Sequence, residues 1–231
     1  MTGTLASESA AQRAERVRRL RCLDACTVSD ALDRLQLTGV ESQVPQQSGD
    51  QKIAGSIVTL QVGVGSPPAG APRHLGTAAI EAAGPDCVIV IEQRSGIDAG
   101  CWGGLLTLGA RVREVAGVIA DGPVRDIDEA RGCGFAIFSH RLTARTARGR
   151  VVELGTNVPI SPWGHRVCPH DYVIADRSAV VFIARADIDR VLEAAETIAA
   201  READMAKALL SGAAPSAVMA GQYEHMLKSS S

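Results

Sequence analysis

Two segments built only from apolar residues and glycine, 87–91 (CVIVI) and 115–120 (VAGVIA), restrict the fold more than any other feature of this sequence. Each predicts a strand, and each is followed by a glycine-containing loop and a segment of helical character (105–113 and 125–131). A strand with apolar side chains on both faces needs cover on both sides, which a sheet placed between helices provides. The sequence therefore predicts an α/β fold.

The remaining segments extend this prediction to the whole chain. Apolar residues at helical spacing predict a long C-terminal helix, 186–211: Ile188, Val191, Leu192, Ala195, Ile198 and Ala199. Further helices are predicted at 11–23, from 27–30 (capped by Thr27 or Ser29) and at 74–83. Further strands are predicted at 53–64, 135–139, 151–154, 157–160, 172–175 and 180–184, and a loop at 66–72. We expect one domain, 1–231, with a mixed sheet flanked by helices, in which the C-terminal helix packs on the N-terminal helical segment (1–26) or on a neighbouring subunit.

Composition and charge exclude several classes of function. Lys and Arg (24) nearly balance Asp and Glu (26), and the net charge of −2 leaves no basic surface for nucleic acid or an anionic membrane. The aromatic residues (2 Trp, 2 Tyr and 3 Phe) are too few for a base-stacking platform. No apolar run reaches the roughly 18–20 residues that span a bilayer, and the N-terminus lacks the apolar core of a signal peptide. We expect a cytoplasmic protein with free cysteine thiols that binds neither nucleic acid nor membrane.

The residues suited to chemistry are concentrated in 99–131, which contains two successive strand-to-helix junctions. In open α/β sheets the carboxyl ends of the strands form the crevice that binds ligands. At the first junction, Gly103 and Gly104 let the backbone approach a ligand closely. The amides of Leu105 and Leu106, at the start of the following helix, would point at an anion.

The second junction brings a cation and carboxylates together, because Asp121, Arg125 and Asp126 are expected to crowd at the end of the strand. A guanidinium binds a carboxylate through two parallel hydrogen bonds, and a carboxylate binds a hard divalent cation that keeps several waters. Arg125 and Asp126 would together hold a 2-oxo acid, with the cation polarising its keto oxygen. The alternative is an ordinary helix start, in which Asp126, Asp128 and Glu129 form a solvated first turn favoured by the helix dipole.

Three segments carry a resemblance to a known family: GCWGGLL (100–106), AGVIADGPVRD (116–126) and NVPISPWGHRVCPHDYVIADRSAVVFI (157–183). From about Thr27 through the C-terminal helix, the chain resembles the 4-hydroxy-4-methyl-2-oxoglutarate/4-carboxy-4-hydroxy-2-oxoadipate aldolases. The same family contains the regulator of ribonuclease E activity A. The resemblance implies a swivelling-type β/β/α domain, assembled as a homotrimer or homohexamer with sites between subunits. It also implies class II, metal-dependent cleavage of pyruvate-derived substrates, commonly with decarboxylation of oxaloacetate.

The resemblance implies a role for each matching residue. Asp126 is similar in position to the direct metal ligand, for which Mg²⁺ or Mn²⁺ is the implied ion. Arg125 is similar to the catalytic group that binds the carboxylate and keto oxygen of pyruvate and stabilises its enolate. The amides of Leu105 and Leu106 would be the other carboxylate contacts. Glu202 on the C-terminal helix of a neighbouring subunit would hold a metal-bound water, with Glu196 as the second choice.

Gly104 is the main departure from the family pattern. In the aldolases an acid stands at this position, where it binds a metal-bound water and assists proton transfer. The general acid or base is therefore left without an obvious residue here. Three other acids could take its place: Asp98, Glu92 and Asp121.

Other residues bear on the substrate. Arg73 and His74, in the loop before the helix at 74–83, would place a cation and an imidazole near the crevice and favour a substrate with an additional anionic group. Trp102 either lines the same pocket or fills a contact between subunits.

The function expected from these residues is that of a divalent-metal-dependent carbon–carbon lyase. Its substrate would be a small 2-oxo acid, cleaved by a retro-aldol reaction of a 4-hydroxy-2-oxo acid or by decarboxylation of oxaloacetate, through a pyruvate enolate. One alternative is a protein-binding regulator without catalysis. Another, suggested by Gly104, is a diverged dehydratase, isomerase or tautomerase of the same fold.

Overall fold

A mixed sheet of nine strands forms the centre of the structure, a computed structural model that describes residues 8–70 and 73–219. The strands are β1 (Val40–Glu41), β2 (Gln46–Ser48), β3 (Ile53–Gly63), β4 (Cys87–Glu92), β5 (Gly117–Asp121), β6 (Ile137–Ser139), β7 (Val152–Thr156), β8 (Tyr172–Ala175) and β9 (Val180–Ile183). Their order is β1-β9-β8-β3-β4-β5-β6-β2, and β7 also pairs with β3.

The central strands β3, β4, β5 and β6 run parallel, with Ile57 opposite Val88 and Ile89 opposite Val118. The other edge of the long strand β3 pairs with antiparallel neighbours, β8 along its first half and β7 along its second half. Parallel neighbours end on the same side of a sheet. The loops that follow β4 and β5 therefore lie next to each other.

Two groups of helices cover different strands of the sheet. They are α1 (Ala10–Arg21), α2 (Ala25–Arg34), α3 (Thr77–Ala82), α4 (Gly104–Val112), α5 (Ile127–Gly132), α6 (Ile188–Leu210) and α7 (Pro215–Val218). The helices α1, α2 and α6 pack together over β8 and β9, in a core that includes Leu32, Tyr172 and Leu192. The helices α3, α4 and α5 cover the central parallel strands.

Strand β4 has no polar side chain before its end because both of its faces are buried. Ile89 and Ile91 pack beneath α3 and α4, whereas Val88 and Val90 pack on the opposite face against a cluster that includes Ile160 and Val167. All four are fully buried. The predicted α/β class, with a mixed sheet flanked by helices, is confirmed.

Several local predictions were wrong. The second helix begins at Ala25, not at 27–30, and it is the carboxylate of Asp24 that caps it by accepting from the Thr27 amide at 2.8 Å. Residues 157–160 form no strand, because Asn157 has a left-handed backbone (φ 54°) and Ile160 makes only an isolated bridge with Val167. The helix predicted at 125–131 begins later, at Ile127. Of the loop predicted at 66–72, residues 71–72 lie outside the described residues.

Candidate functional site

The loops after β4 and β5 are joined by backbone hydrogen bonds that continue the parallel pairing of the two strands. The Cys101 amide donates to the Pro123 carbonyl at 2.8 Å, and the Arg125 amide donates to the Trp102 carbonyl at 3.0 Å. The bridge between Trp102 and Val124 has parallel geometry. This pairing brings the glycines of the first junction against Arg125 and Asp126 of the second.

Asp126 has an unusual backbone that directs its carboxylate to the start of α4. Its φ of 57° and ψ of 36° lie in the left-handed region, which Asp adopts more readily than most residues. Its Oδ2 accepts from the Gly104 amide at 3.0 Å and lies 3.3 Å from Nε of Arg125. Both side chains remain about one-third exposed, Arg125 at 34% and Asp126 at 33%. The pair is therefore held in place and still accessible to a ligand.

Three glycines make room for these two side chains. A methyl group built on Gly100 would lie 3.0 Å from Cγ of Arg125, and one on Gly103 would lie 2.9 Å from Oδ2 of Asp126. A methyl group on Gly104 would overlap with the carboxylate of Glu129, lying 2.8 Å from its Cδ. Any side chain at these positions would displace the charged groups of the second junction.

The two junctions form one side of a cleft of about 750 Å³. The cleft is lined by eight of the residues predicted to form the site: Arg73, His74, Trp102, Gly104, Leu105, Leu106, Arg125 and Asp126. It also contains Arg148 and Glu153, which the sequence did not single out. Residues 146–149 and 151–153 therefore line the cleft together with the start of α4. They lie far along the chain from Arg125, which is why the sequence did not reveal them.

The start of α4 presents free backbone donors to the cleft. The amides of Leu105 and Leu106 belong to the first helical turn, where no intrahelical acceptor exists. The Leu106 side chain is buried, whereas that of Leu105 is exposed. This geometry suits a carboxylate placed beside Arg125.

Trp102 is fixed beneath α4. Its side chain is 1% exposed, and Nε1 donates to Oγ1 of Thr107 at 2.9 Å. Because the indole is buried within its own chain, Trp102 cannot fill a contact between subunits. It lines the cleft and supports the first turn of α4.

The rim of the cleft is cationic. Arg73 is exposed and lies 3.3 Å from Glu81, a surface pair that contributes little stability. The guanidinium of Arg148 has no hydrogen bond or ion pair with the part of the chain that the structure describes. Glu153 is already engaged, since it accepts from the Gly76 amide at 2.9 Å and from Oγ1 of Thr156 at 2.7 Å.

The three acids expected to replace the acid missing at Gly104 all lie away from the cleft. Asp98 pairs with Arg145 at 3.1 Å. Glu92 accepts from the Ser161 amide, and Asp121 accepts from the Trp163 amide at 2.7 Å. Burial raises the pKa of the Asp121 carboxyl above its ordinary value. The expectation that Asp121 lies close to Arg125 and Asp126 was wrong, because the Asp121 side chain is hydrogen-bonded to the backbone of the 161–163 turn instead.

The acids of the C-terminal helix lie beside the N-terminal helices α1 and α2, away from the cleft. Glu196 pairs with Arg19 at 2.7 Å, so it is already neutralised within its own chain. Burial raises the pKa of Glu202, with the nearby carboxylates of Asp24 and Asp30 adding to the effect. Glu202 does not reach the cleft of its own chain, and its role in a neighbouring subunit stays a prediction. Among residues 8–70 and 73–219, no three His, Cys, Asp or Glu side chains are grouped so that they could hold a metal ion.

The sheet and its site define the class of protein. This is an α/β protein with a cleft at the carboxyl ends of two adjacent parallel strands, a usual place for ligand binding in such sheets. The described helices include none long and apolar enough to cross a membrane.

The chain belongs to the RraA-like family, since the family model described as Aldolase/RraA matches residues 25–182. It is 28% identical over 181 residues to the "Putative 4-hydroxy-4-methyl-2-oxoglutarate aldolase" of Halalkalibacterium halodurans, covering 78% of this chain and 81% of that protein. It is 27% identical over 189 residues to Protein DlpA of Legionella pneumophila, covering 82% of this chain. The chain spans only 31% of the length of DlpA.

A solved structure supports the same fold. RraAS2 of Streptomyces coelicolor, described as an unusual member of the RNase ES inhibitor RraA protein family, superposes with a TM-score of 0.69. The match covers 84% of this chain and 94% of that one, at 24% sequence identity. The family therefore includes regulators as well as aldolases. The choice between these two functions for this chain has to be made from the residues of the site.

Proposed function

We propose that this protein is a divalent-cation-dependent carbon–carbon lyase that acts on a small 2-oxo acid. The reaction would be retro-aldol cleavage of a 4-hydroxy-2-oxo acid, decarboxylation of oxaloacetate, or both. One observation carries this proposal: Arg125 and Asp126 lie in a cleft beside the free amides at the start of α4. A guanidinium, a carboxylate and two amides are the groups needed to bind a 2-oxo acid and a hard cation.

Asp126 fits the role of a ligand for Mg²⁺ or Mn²⁺. Its carboxylate is accessible, and the glycine at 103 leaves space that any Cβ would fill. Mg²⁺ is commonly held by one or two carboxylates and keeps several waters, so the absence of three grouped ligands among the described residues agrees with this choice. Once bound, the cation would stabilise negative charge on the keto oxygen.

The protein groups would orient the substrate. The carboxylate of the 2-oxo acid would be bound by Arg125 and by the amides of Leu105 and Leu106. Arg125 would also stabilise the charge that develops when the carbon–carbon bond breaks. Arg148 and Arg73 at the rim would attract a second anionic group on the substrate.

The neighbouring subunit belongs to the same proposal. We expect a homotrimer or homohexamer in which Glu202 of an adjacent copy approaches the cleft and holds a water on the cation. The location in the cytoplasm also remains an expectation. Sedimentation of the purified protein measures the number of subunits. The distribution of a tagged chain between cell fractions tests the location in the cytoplasm.

The test is release of pyruvate from oxaloacetate or 4-hydroxy-4-methyl-2-oxoglutarate by the purified protein with Mg²⁺. Arg125→Ala should abolish the activity, whereas Arg131→Ala, an exposed cation on α5 that pairs with Asp128, should not. Equal pyruvate release by the wild type and Arg125→Ala would refute the proposal. Exchange of the C3 protons of pyruvate without cleavage would point instead to an isomerase, tautomerase or dehydratase.

A regulatory role is the second candidate, and one surface favours it. Leu105, Leu108 and Val112 form an apolar stripe on α4 with exposures of 85%, 55% and 75%. Such a stripe is typical of surfaces that bind another protein chain. Capture of a stoichiometric partner that Leu108→Asp abolishes, together with no cation binding and no pyruvate release, would favour regulation over catalysis.

A further inference from the structure

The cleft offers few groups that could move a proton, although the proposed reaction needs one. Cleavage of a 4-hydroxy-2-oxo acid removes the proton of the 4-hydroxyl group and adds a proton to C3 of the pyruvate that is released. Seven residues that line the cleft have ionisable side chains: Arg73, His74, Cys101, Arg125, Asp126, Arg148 and Glu153. These are the groups of the cleft that have to be compared for this task.

Six of these seven side chains are unsuited to it. A guanidinium stays protonated in proteins, so the three arginines cannot accept a proton. Burial raises the pKa of the Cys101 thiol to about 12, and its Sγ donates to a backbone carbonyl at 3.2 Å. Asp126 accepts from the Gly104 amide, lies against Arg125 and is the proposed cation ligand. Both carboxylate oxygens of Glu153 already accept hydrogen bonds.

The hydrogen bond of the His74 ring decides which of its nitrogens can react. Nδ1 lies 2.9 Å from the carbonyl oxygen of Leu75, which can only accept, so Nδ1 carries the hydrogen. In the neutral imidazole the lone pair is then on Nε2. Within residues 8–70 and 73–219, no polar group binds Nε2. Nε2 of His74 can therefore take up a proton and release it again.

The loop that carries His74 is held beside the start of α4. The His74 carbonyl accepts from the amide of Thr77 at 3.2 Å and from its hydroxyl at 2.8 Å. The Gly76 amide donates to Glu153 at 2.9 Å. A methyl group built on Gly76 would lie 3.2 Å from Cδ1 of Leu106, so the loop packs against a residue whose amide is proposed to bind the substrate. The imidazole is exposed to solvent, but the backbone that places it at the cleft is fixed.

We propose that His74 is the general base and then the general acid of the cleavage reaction, acting through Nε2. As the C3–C4 bond breaks, Nε2 takes the proton of the 4-hydroxyl group, and the electron pair of that O–H bond forms the new carbonyl group. The electron pair of the C3–C4 bond forms the enolate of pyruvate. The imidazolium then returns its proton to C3, so the reaction needs no further reactant.

This inference rests on the proposed function, since it concerns the same substrate in the same cleft. It assigns to the loop after β3 the proton transfer for which Gly104 supplies no acid. The aspects of the reaction that depend on Arg125 and Asp126 are unchanged by it.

The two proposed reactions need this proton transfer to different extents. In 4-hydroxy-4-methyl-2-oxoglutarate the hydroxyl proton has to leave before or while the carbon–carbon bond breaks. Oxaloacetate loses CO₂ from a carboxylate that carries no proton, and its enolate can be protonated by water. Loss of His74 should therefore slow the retro-aldol reaction selectively.

The variant His74→Asn tests this role while preserving the loop. The asparagine amide can keep the hydrogen bond to the Leu75 carbonyl but has no atom at the position of Nε2. With Mg²⁺ present, kcat for cleavage of 4-hydroxy-4-methyl-2-oxoglutarate should fall by about 100-fold or more, the usual contribution of general acid–base catalysis. Decarboxylation of oxaloacetate should keep most of its rate. Added imidazole should restore part of the lost cleavage rate.

The matched control is His140→Asn, which makes the same substitution at an exposed histidine outside the cleft. This variant should leave both rates unchanged. A loss of cleavage in His140→Asn equal to that in His74→Asn would contradict a specific role for His74.

The outcomes distinguish this inference from the proposed function. If His74→Asn cleaves the hydroxy acid like the wild type, or slows both reactions equally without rescue by imidazole, the role of His74 is refuted and the lyase function stands. The same holds if the wild type decarboxylates oxaloacetate but does not cleave the hydroxy acid. If the wild type releases pyruvate from neither compound, the proposed function is refuted, and the role of His74 with it.

Discussion

Replacing Gly103 by alanine should damage the site without damaging the fold. The φ of −160° at Gly103 is extended backbone that alanine adopts freely, so folding requires no strained conformation. The added Cβ, however, would lie 2.9 Å from Oδ2 of Asp126 and 3.1 Å from Cγ of Arg125. Both separations are shorter than normal contacts, so both charged side chains must move by about 0.3–0.5 Å.

The size of the effect follows from what that movement disturbs. Asp126 also accepts from the Gly104 amide at 3.0 Å, and a displaced carboxylate would weaken this hydrogen bond. A misplacement of about 1 Å at a reacting group can cost about 100-fold in rate. We expect kcat/KM for pyruvate release to fall by about tenfold or more, which corresponds to about 1.4 kcal/mol of lost transition-state stabilisation.

The matched control is Gly109→Ala in the same helix. Its Cβ would make only an ordinary contact, 3.5 Å from Cδ1 of Ile80. Alanine in place of glycine within a helix should raise the free energy of unfolding by about 0.5–1 kcal/mol and leave the rate unchanged. Both variants are assayed for pyruvate release and for urea unfolding. A Gly103→Ala protein that is as active as the wild type would refute the proposed role of this glycine.

Three further predictions concern the scaffold around the site. The pKa of Asp121 is raised in the folded state, so its contribution to the free energy of unfolding is present at low pH and is lost as pH rises through the raised pKa. In urea unfolding over the same pH range, Asp121→Asn should not show this decrease in the free energy of unfolding. Trp102→Phe leaves buried Thr107 without its donor and should lower the free energy of unfolding by about 1–3 kcal/mol, measured by urea titration. Burial raises the pKa of the Cys101 thiol to about 12, so a thiol reagent at pH 8 should modify exposed Cys22 and spare Cys101 until the protein unfolds.

The parts of the fold that the sequence predicted are those with a strong local signal. Strand β4 needs apolar residues on both faces, and α6 repeats its apolar residues every three or four positions, so both follow from the pattern. Strands β1 and β2 have two and three residues, too few to show any periodicity. The cap of α2 was assigned to the wrong residue because Asp24, Thr27 and Ser29 are all chemically suited to it.

The site was predictable where its residues are neighbours in sequence or in a motif. Arg125, Asp126 and the start of α4 are such residues, and the structure places them in one cleft. Arg148 reaches the same cleft from a distant loop, which no spacing along the chain reveals.

The adjacency of β4 and β5 has a consequence for how such proteins diverge. Two short loops from neighbouring strands can each deliver a functional group to the same point, so a group lost from one loop can be regained from the other. The functional group then keeps its position in the structure, although the residue that carries it has a different position in the sequence. A position-by-position comparison of aligned sequences would interpret such an exchange as a loss of activity. The functional group would nevertheless still be present, supplied by a residue of the other loop.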